Sequence, residues 1–240
     1  MIPFRYLGAA AALAGTLLAG CSFLPPRTDS EILAPNQVLE FGTLYAQNCA
    51  ACHGAEGRGG GAMALADPEY LAIIDEAAMR RVIANGVPGT PMSAFAQSAG
   101  GMLTEKQVDV ITQQIRSRWS RPGILEGANP PSYAPKSRGD VQAGEAVYKT
   151  YCESCHGPAG QGTPKGSAIT NDSYLALISD QGLRTTVIVG RPELRAPDWR
   201  GNVPGKPMSD QEVTDVVAWL ASHRAQFPGQ PYFASNEAPR

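Results

Sequence analysis

Apolar residues recur at helical spacing in two similar stretches, residues 104–119 and 209–220. Each stretch opens with a hydroxyl residue that is followed three positions later by Gln or Glu, which is the signature of a capping box. No part of the chain alternates apolar and polar residues convincingly, as a half-buried strand would. The pattern therefore predicts an all-α fold in which a capped helix closes each half. The apolar stripes comprise Val108, Ile111, Ile115 and Trp119 in the first half, and Val213, Val216, Val217 and Leu220 in the second.

Further helices are predicted upstream of these two. Residues 38–48 and 141–151 read as short helices, and a middle helix in each half ends near Gly86 or Gly190. Glycine at that place suits the left-handed position that follows many helices. Glycine-rich loops separate the first and middle helices of each half.

The two halves are copies of one sequence pattern. Residues 49–54 and 152–157, which are 103 positions apart, share Cys-x-x-Cys-His-Gly. Residues 70–74 resemble residues 174–178, which are 104 positions apart. Such a tandem repeat predicts two domains. The boundaries predicted from it are a first domain at 36–121, a linker rich in Pro and Gly at 122–139, a second domain at 140–226 and an irregular tail at 227–240.

The N-terminal segment predicts export and lipid attachment. Arg5 precedes an apolar run at 7–20 that is too short to span a bilayer comfortably, and the run ends at Cys21 in a sequence that resembles a bacterial lipobox. Residues 1–20 are thus predicted to be a signal peptide and 21–35 a tether, with acyl chains on Cys21 holding the protein at the periplasmic face of a membrane. The net charge of -2 gives no support for nucleic-acid binding.

The remaining four cysteines carry the chemistry. Cys-x-x-Cys-His is the attachment signal for c-type haem, in which two thiols bond one porphyrin and the adjacent imidazole binds its iron. A zinc site would need further repeated ligands, and a redox dithiol would not account for the histidine. The sequence therefore predicts two covalently bound haem c groups. The attachment residues are Cys49, Cys52 and the iron ligand His53 in the first copy, and Cys152, Cys155 and the iron ligand His156 in the second.

Each copy, with its helix, haem motif, glycine-rich loop, middle helix and closing helix, resembles the class I cytochrome c family. In that family a methionine from a late loop binds the iron opposite the histidine. The resemblance implies this role for Met92, which lies in Thr-Pro-Met-Ser-Ala-Phe at 90–95. Met102 abuts the helix cap and Met63 lies too early in the copy to compete.

The second copy departs from this pattern. Ala196 stands where Met92 stands in the first copy, because the following aromatic residues, Phe95 and Trp199, align. An alanine methyl group cannot bind iron. The sixth position of haem 2 is therefore left open between Met208, Lys206, His223 and no protein ligand at all.

The resemblance implies a membrane-anchored electron carrier, acting between redox partner proteins in a bacterial respiratory or photosynthetic chain. The residues favour a carrier over a catalyst. One alternative is a di-haem redox enzyme or a small-ligand sensor that uses an open haem 2 site. Another is a subunit of a larger oxidase or reductase complex that the lipid positions.

Overall fold

The computed structural model describes residues 33–225 and contains helices and loops with no strand among these residues. Residues 33–37 belong to a separate N-terminal unit and form one 3₁₀ turn, Pro35–Gln37. Cys21 and the apolar run before it lie outside the described residues. The helices of the first copy are α1 (Phe41–Asn48), α2 (Ala50–His53), α3 (Pro68–Ile73), α4 (Glu76–Asn85) and α5 (Glu105–Trp119). The second copy contains α6 (Val141–Tyr151), α7 (Glu153–His156), α8 (Asp172–Leu177), α9 (Asp180–Val189) and α10 (Asp210–Ser222).

The closing helices begin as predicted. Thr104 and Ser209 each accept from the backbone N–H three residues on, and the side chains of Gln107 and Glu212 accept in return from the N–H of the capping residue. The stripe residues of α10 are buried, and those of α5 are buried except for half-buried Trp119. Burying one such aliphatic side chain stabilises a fold by about 1.5–3 kcal/mol, so these stripes form the centre of each core.

The predicted middle helix is two helices in each copy. Asp75 and Ser179 interrupt the helix, because each has extended backbone angles and accepts a hydrogen bond from the third residue of the helix that follows. The preceding short helices, α3 and α8, carry the repeated Tyr-Leu pair. Both residues of this pair are buried in the first copy, whereas Tyr174 is only half-buried in the second.

Gly86 and Gly190 end α4 and α9 with a positive φ, as the sequence predicted, but in a different region from the left-handed helical one. Their angles are 67°, -166° and 70°, -168°, a conformation that glycine alone adopts without strain. A Cβ on Gly190 would lie 2.5 Å from the Pro197 carbonyl oxygen. This approach brings the late loop of each copy back against the end of its middle helix.

The first and last helices of each copy pack through aromatic residues. In the first copy the Tyr45 and Trp119 rings meet edge to face at 5.3 Å, and in the second the Tyr148 and Trp219 rings stack at 4.1 Å. Gly144 allows the closer approach in the second copy, since a Cβ there would lie 2.1 Å from the Asp215 carbonyl oxygen. The two copies thus use equivalent tyrosines for this helix crossing but tryptophans from different positions of the closing helix.

Part of the linker is bound to the second copy by a buried arginine. The Arg184 side chain is 2% exposed and donates to the carbonyl oxygens of Ser132 and Tyr133, to Thr214 and to Asp210. The Ser132 N–H and hydroxyl also donate to Asp210. These bonds make the linker around residue 132 a structural part of the second copy.

The corresponding arginine of the first copy remains at the surface. Arg80 lies at the same offset from Arg184 as Gly86 lies from Gly190, and its side chain is 37% exposed. It pairs with Glu105 at 2.8 Å and with Asp109 at 2.6 Å. The difference in burial therefore follows from the linker, which covers the arginine of the second copy.

Arg200 joins the two copies. Its guanidinium pairs with Glu69 on α3 of the first copy and, at 2.6 Å, with Asp198 of the second. Burial raises the pKa of Glu69, and the nearby Asp198 adds to this effect, while Arg200 acts in the opposite direction. The cationic side chain is held between the two carboxylates and places α3 beside the late loop of the second copy.

Candidate haem-binding sites

Each predicted haem motif lies on a short helix at the end of a longer one. α1 ends at Asn48 and α2 carries Cys52 and His53, while α6 ends at Tyr151 and α7 carries Cys155 and His156. The more N-terminal cysteine of each pair is half-buried and the other is exposed. One thiol of each motif therefore faces the protein interior.

Both motif histidines are oriented by the glycine-rich loop. His53 Nδ1 lies 2.8 Å from the carbonyl oxygen of Met63, and His156 Nδ1 lies 2.7 Å from that of Ser167. A carbonyl can only accept, so Nδ1 is the donor and Nε2 is left free for a metal. Burial lowers the pKa of His53, which favours the neutral imidazole that binds iron, although the bond to Met63 acts in the opposite direction.

The glycine-rich loop reaches the histidine because its backbone lies directly against the motif. A Cβ at Gly60 would lie 2.0 Å from the Cys52 carbonyl oxygen. A Cβ at Gly166 would lie 2.9 Å from that of Cys155 and 3.0 Å from His156 Nδ1. Glycine at these places is what lets the loop present a carbonyl group to each imidazole.

The half-buried thiols are held in their neutral form. Burial raises the pKa of Cys49 to about 11 and that of Cys152 to about 12. Redox dithiols and zinc sites use the thiolate, and their cysteines have lowered pKa values. This environment argues against a redox dithiol, whose attacking cysteine needs the opposite shift, and fits thiols that end as thioethers.

One tyrosine in each copy fixes the end of the haem motif. The Tyr45 hydroxyl donates to the carbonyl oxygen of Gly54 at 3.0 Å, and the Tyr148 hydroxyl donates to that of Gly157. Burial raises the pKa of both hydroxyls to about 12, so they remain donors at any physiological pH. Their equivalent places in the two copies were visible in the sequence, but their acceptors were not.

In the second copy the predicted residues meet at one cavity of about 350 Å³. Cys152, Cys155 and His156 line it together with Ala196 and Met208. Apolar side chains contribute much of the remaining wall, which suits a flat apolar porphyrin. The motif, the oriented imidazole and the cavity together fit a covalently attached haem. Further lining residues include Tyr151, Tyr174, Leu183, Val187, Val216 and Leu220.

The remaining predicted donors for haem 2 lie elsewhere. His223 caps α10 at the surface, where its Nδ1 lies 2.8 Å from the Trp219 carbonyl oxygen and its ring packs on the Trp219 ring. Lys206 Nζ lies 5.2 Å from the centre of the Tyr151 ring. Neither side chain is among the described residues that line the cavity.

The late loops of the two copies have the same backbone frame. The Val87 N–H donates to the Met92 carbonyl oxygen at 2.8 Å, and the Arg191 N–H donates to that of Ala196 at 3.0 Å. Met92 itself is half-buried, whereas Met102 is 87% exposed. Ala196 therefore occupies the structural place of Met92.

Comparison with known proteins identifies the family of both copies. Residues 141–224 match the family model described as cytochrome c, and residues 36–113 match the one described as cytochrome C oxidase, cbb3-type, subunit III. The chain is a tandem class I cytochrome c. It binds two covalent haem c groups.

Similar curated proteins are named as subunits of membrane redox complexes. The cbb3-type cytochrome c oxidase subunit CcoP of Azospirillum sp. is 34% identical over 50% of this chain and 39% of its own length. The subunit of the same name in Rubrivivax gelatinosus is 33% identical over 65% of this chain and 46% of its length. The cytochrome bc1 complex cytochrome c subunit of Mycobacterium tuberculosis is 22% identical over 78% of this chain and 64% of its length. The chain thus spans between two fifths and two thirds of these relatives.

Proposed function

We propose that this tandem cytochrome is anchored to a bacterial membrane and carries single electrons between redox partners of a respiratory or photosynthetic chain. The observation that carries the proposal is the pair of haem motifs whose histidines are each oriented by a loop carbonyl. His53 and His156 are the proposed iron ligands on one side, and Met92 is the proposed second ligand of haem 1. Coordination by histidine and methionine favours the reduced iron and a comparatively high potential.

The protein supplies ligands and orientation for this role, while the haem carries the electron. The contact of Arg200 with Glu69 supports transfer between the two haems, because it holds the first copy against the late loop of the second. Membrane complexes of the kind named for the relatives are the proposed donor or acceptor. The proposed domain boundaries remain 36–121 and 140–226.

Attachment to the membrane rests on Cys21 in this proposal. The lipobox-like sequence places an acyl-bearing residue ahead of the first haem domain, so both haems would lie at the periplasmic face. Among residues 33–225, no helix has the length and apolar character needed to cross a bilayer.

The experiment compares the wild-type chain with Cys21→Ser, both expressed with their leader in a bacterium that matures c-type cytochromes. We expect two haems per chain after acid–acetone extraction, since thioether bonds survive it. We expect the wild type in the membrane fraction and the variant in the soluble periplasmic fraction. Membranes that contain a cbb3-type oxidase should oxidise the reduced protein faster than membranes without the oxidase, at equal haem.

A haem-to-chain ratio of one would contradict the assignment of the two motifs. Wild-type protein that is wholly soluble after cell breakage would contradict the anchor. Unchanged oxidation by membranes with and without the oxidase would contradict the proposed class of partner. The three readouts are independent, so each part of the proposal can fail separately.

A further inference from the structure

The second copy keeps the loop frame of an iron-binding methionine but has lost the methionine. The frame is preserved on both sides of the missing donor. The Phe95 N–H donates to the Ala84 carbonyl oxygen, and the Trp199 N–H donates to that of Ile188. Ala196 lies within this frame and lines the haem cavity with a methyl group that cannot bind iron.

Met208 occupies a place that the first copy uses for packing. The Met208 N–H donates to the Trp199 carbonyl oxygen at 2.9 Å, as the Leu103 N–H donates to that of Phe95 at 2.8 Å. Both side chains are buried, at 1% and 6% exposure, and each directly precedes a capping residue. Leu103 belongs to the core of the first copy, where Met92 on the late loop is the proposed iron ligand. This comparison assigns Met208 to the cavity wall.

A cleft between the two copies lies on the other side of the same loop. The cleft has a volume of about 500 Å³, and Arg195, Ala196, Pro197 and Gly201 line both the cleft and the haem cavity. The loop is therefore a thin wall between the two spaces. Arg195 has a φ of 62°, which residues other than glycine rarely adopt, so the backbone of this wall is strained.

The chemistry of the two spaces selects the kind of ligand. The cleft is lined by three arginines and three acidic residues, so it offers no net charge to attract an anion. At this point the wall of the haem cavity includes the apolar residues Ala196 and Pro197 beside Arg195. A small neutral molecule enters such a space without the desolvation cost that an ion would meet.

We propose that haem 2 has an open sixth position on the side of Ala196, and that small neutral diatomic molecules bind there in the reduced state. Haem 1, with Met92, is closed to them. This goes beyond electron transfer and depends on the two attached haems, but on neither the lipid anchor nor the redox partners.

Carbon monoxide is the probe, and the duplication of the chain provides the controls. Its uptake is titrated spectroscopically on the dithionite-reduced full-length holoprotein, after haem content is shown to be two per chain. We expect one carbon monoxide per chain in the wild type. Ala196→Met should reduce uptake at least tenfold, since it restores the donor that the first copy has. Met92→Ala should raise uptake to two per chain. Met208→Leu should leave it at one.

The outcomes separate the possibilities. No uptake by the reduced wild type would overturn the proposal, and uptake that appears only in Met208→Leu would assign the sixth position to Met208 instead. Uptake by the wild type that Ala196→Met leaves unchanged would place the open position away from this loop. A haem content below two in the wild type would refute the cofactor assignment, which is a different failure.

Discussion

Arg184 and Arg80 occupy equivalent places in the two copies but differ in exposure, so replacing each by methionine tests what the linker contributes. Methionine keeps much of the arginine's apolar volume and removes its charge. In Arg184→Met, Asp210 would lose its buried partner, and the carbonyl groups of Ser132 and Tyr133 would lose their donor.

The expected cost follows from burial. Removing one partner of a buried ion pair destabilises a protein by about 3–5 kcal/mol. The Asp210 side chain is 25% exposed and keeps its hydrogen bonds from Ser132, so we expect the lower end, about 3 kcal/mol. Arg80→Met removes two exposed ion pairs, which contribute little because water already solvates the charges.

Native-state hydrogen exchange of the holoprotein measures both effects in one chain. A loss of about 3 kcal/mol should speed amide exchange in α9 roughly 100-fold in Arg184→Met. Exchange in α4 should change little in Arg80→Met. Equal acceleration of the two helices in their respective variants, or unchanged exchange in α9, would show that the linker contacts do not stabilise the second copy.

Three further predictions concern the second copy. Burial alone would raise the pKa of Asp210, but hydrogen bonds from its linker and arginine neighbours hold that pKa below its ordinary value. The contribution of Asp210 to the free energy of unfolding is therefore complete above pH about 4, the pKa of an unfolded aspartate, and is lost as the pH falls further. In acid, the free energy of unfolding should thus change less with pH in Asp210→Asn than in the wild type. Tyr148→Phe should destabilise by about 1–3 kcal/mol in thermal unfolding, because the buried Gly157 carbonyl loses its donor; an unchanged midpoint would refute this. Gly190→Ala should cost at least about 1–3 kcal/mol in chemical unfolding, whereas Gly61→Ala, whose Cβ meets open space, should be nearly neutral; equal effects would count against the backbone explanation.

Local sequence signals predicted the helical fold and much of the candidate site. The capping boxes at Thr104 and Ser209 form as predicted, because each depends on residues only three positions apart. The alignment of Ala196 with Met92 is likewise reproduced by equivalent backbone hydrogen bonds. Repetition within the chain made the second of these inferences possible.

The sequence pattern did not predict contacts between segments that lie far apart in the chain. The carbonyl of Met63 that orients His53 is a backbone group in a glycine-rich loop, and no side chain marks it. The burial of Arg184 depends on a linker 52 residues away in sequence, which composition alone suggested was a plain spacer. The ends of the middle helices were found, but the break at Asp75 was missed, although a capping residue stands there.

The hydrogen bonds from Arg184 to the linker shorten the segment that connects the two haem domains. α5 ends at Trp119 and the linker is fixed at Ser132, so 12 residues, 120–131, connect the first domain to this fixed point. Even a fully flexible chain of that length would have a root-mean-square span of only about 20 Å. Two haem domains joined so closely meet at an effective concentration in the millimolar range. Electron exchange between the two haems should therefore be first order and independent of protein concentration, so that one chain can hold two electrons.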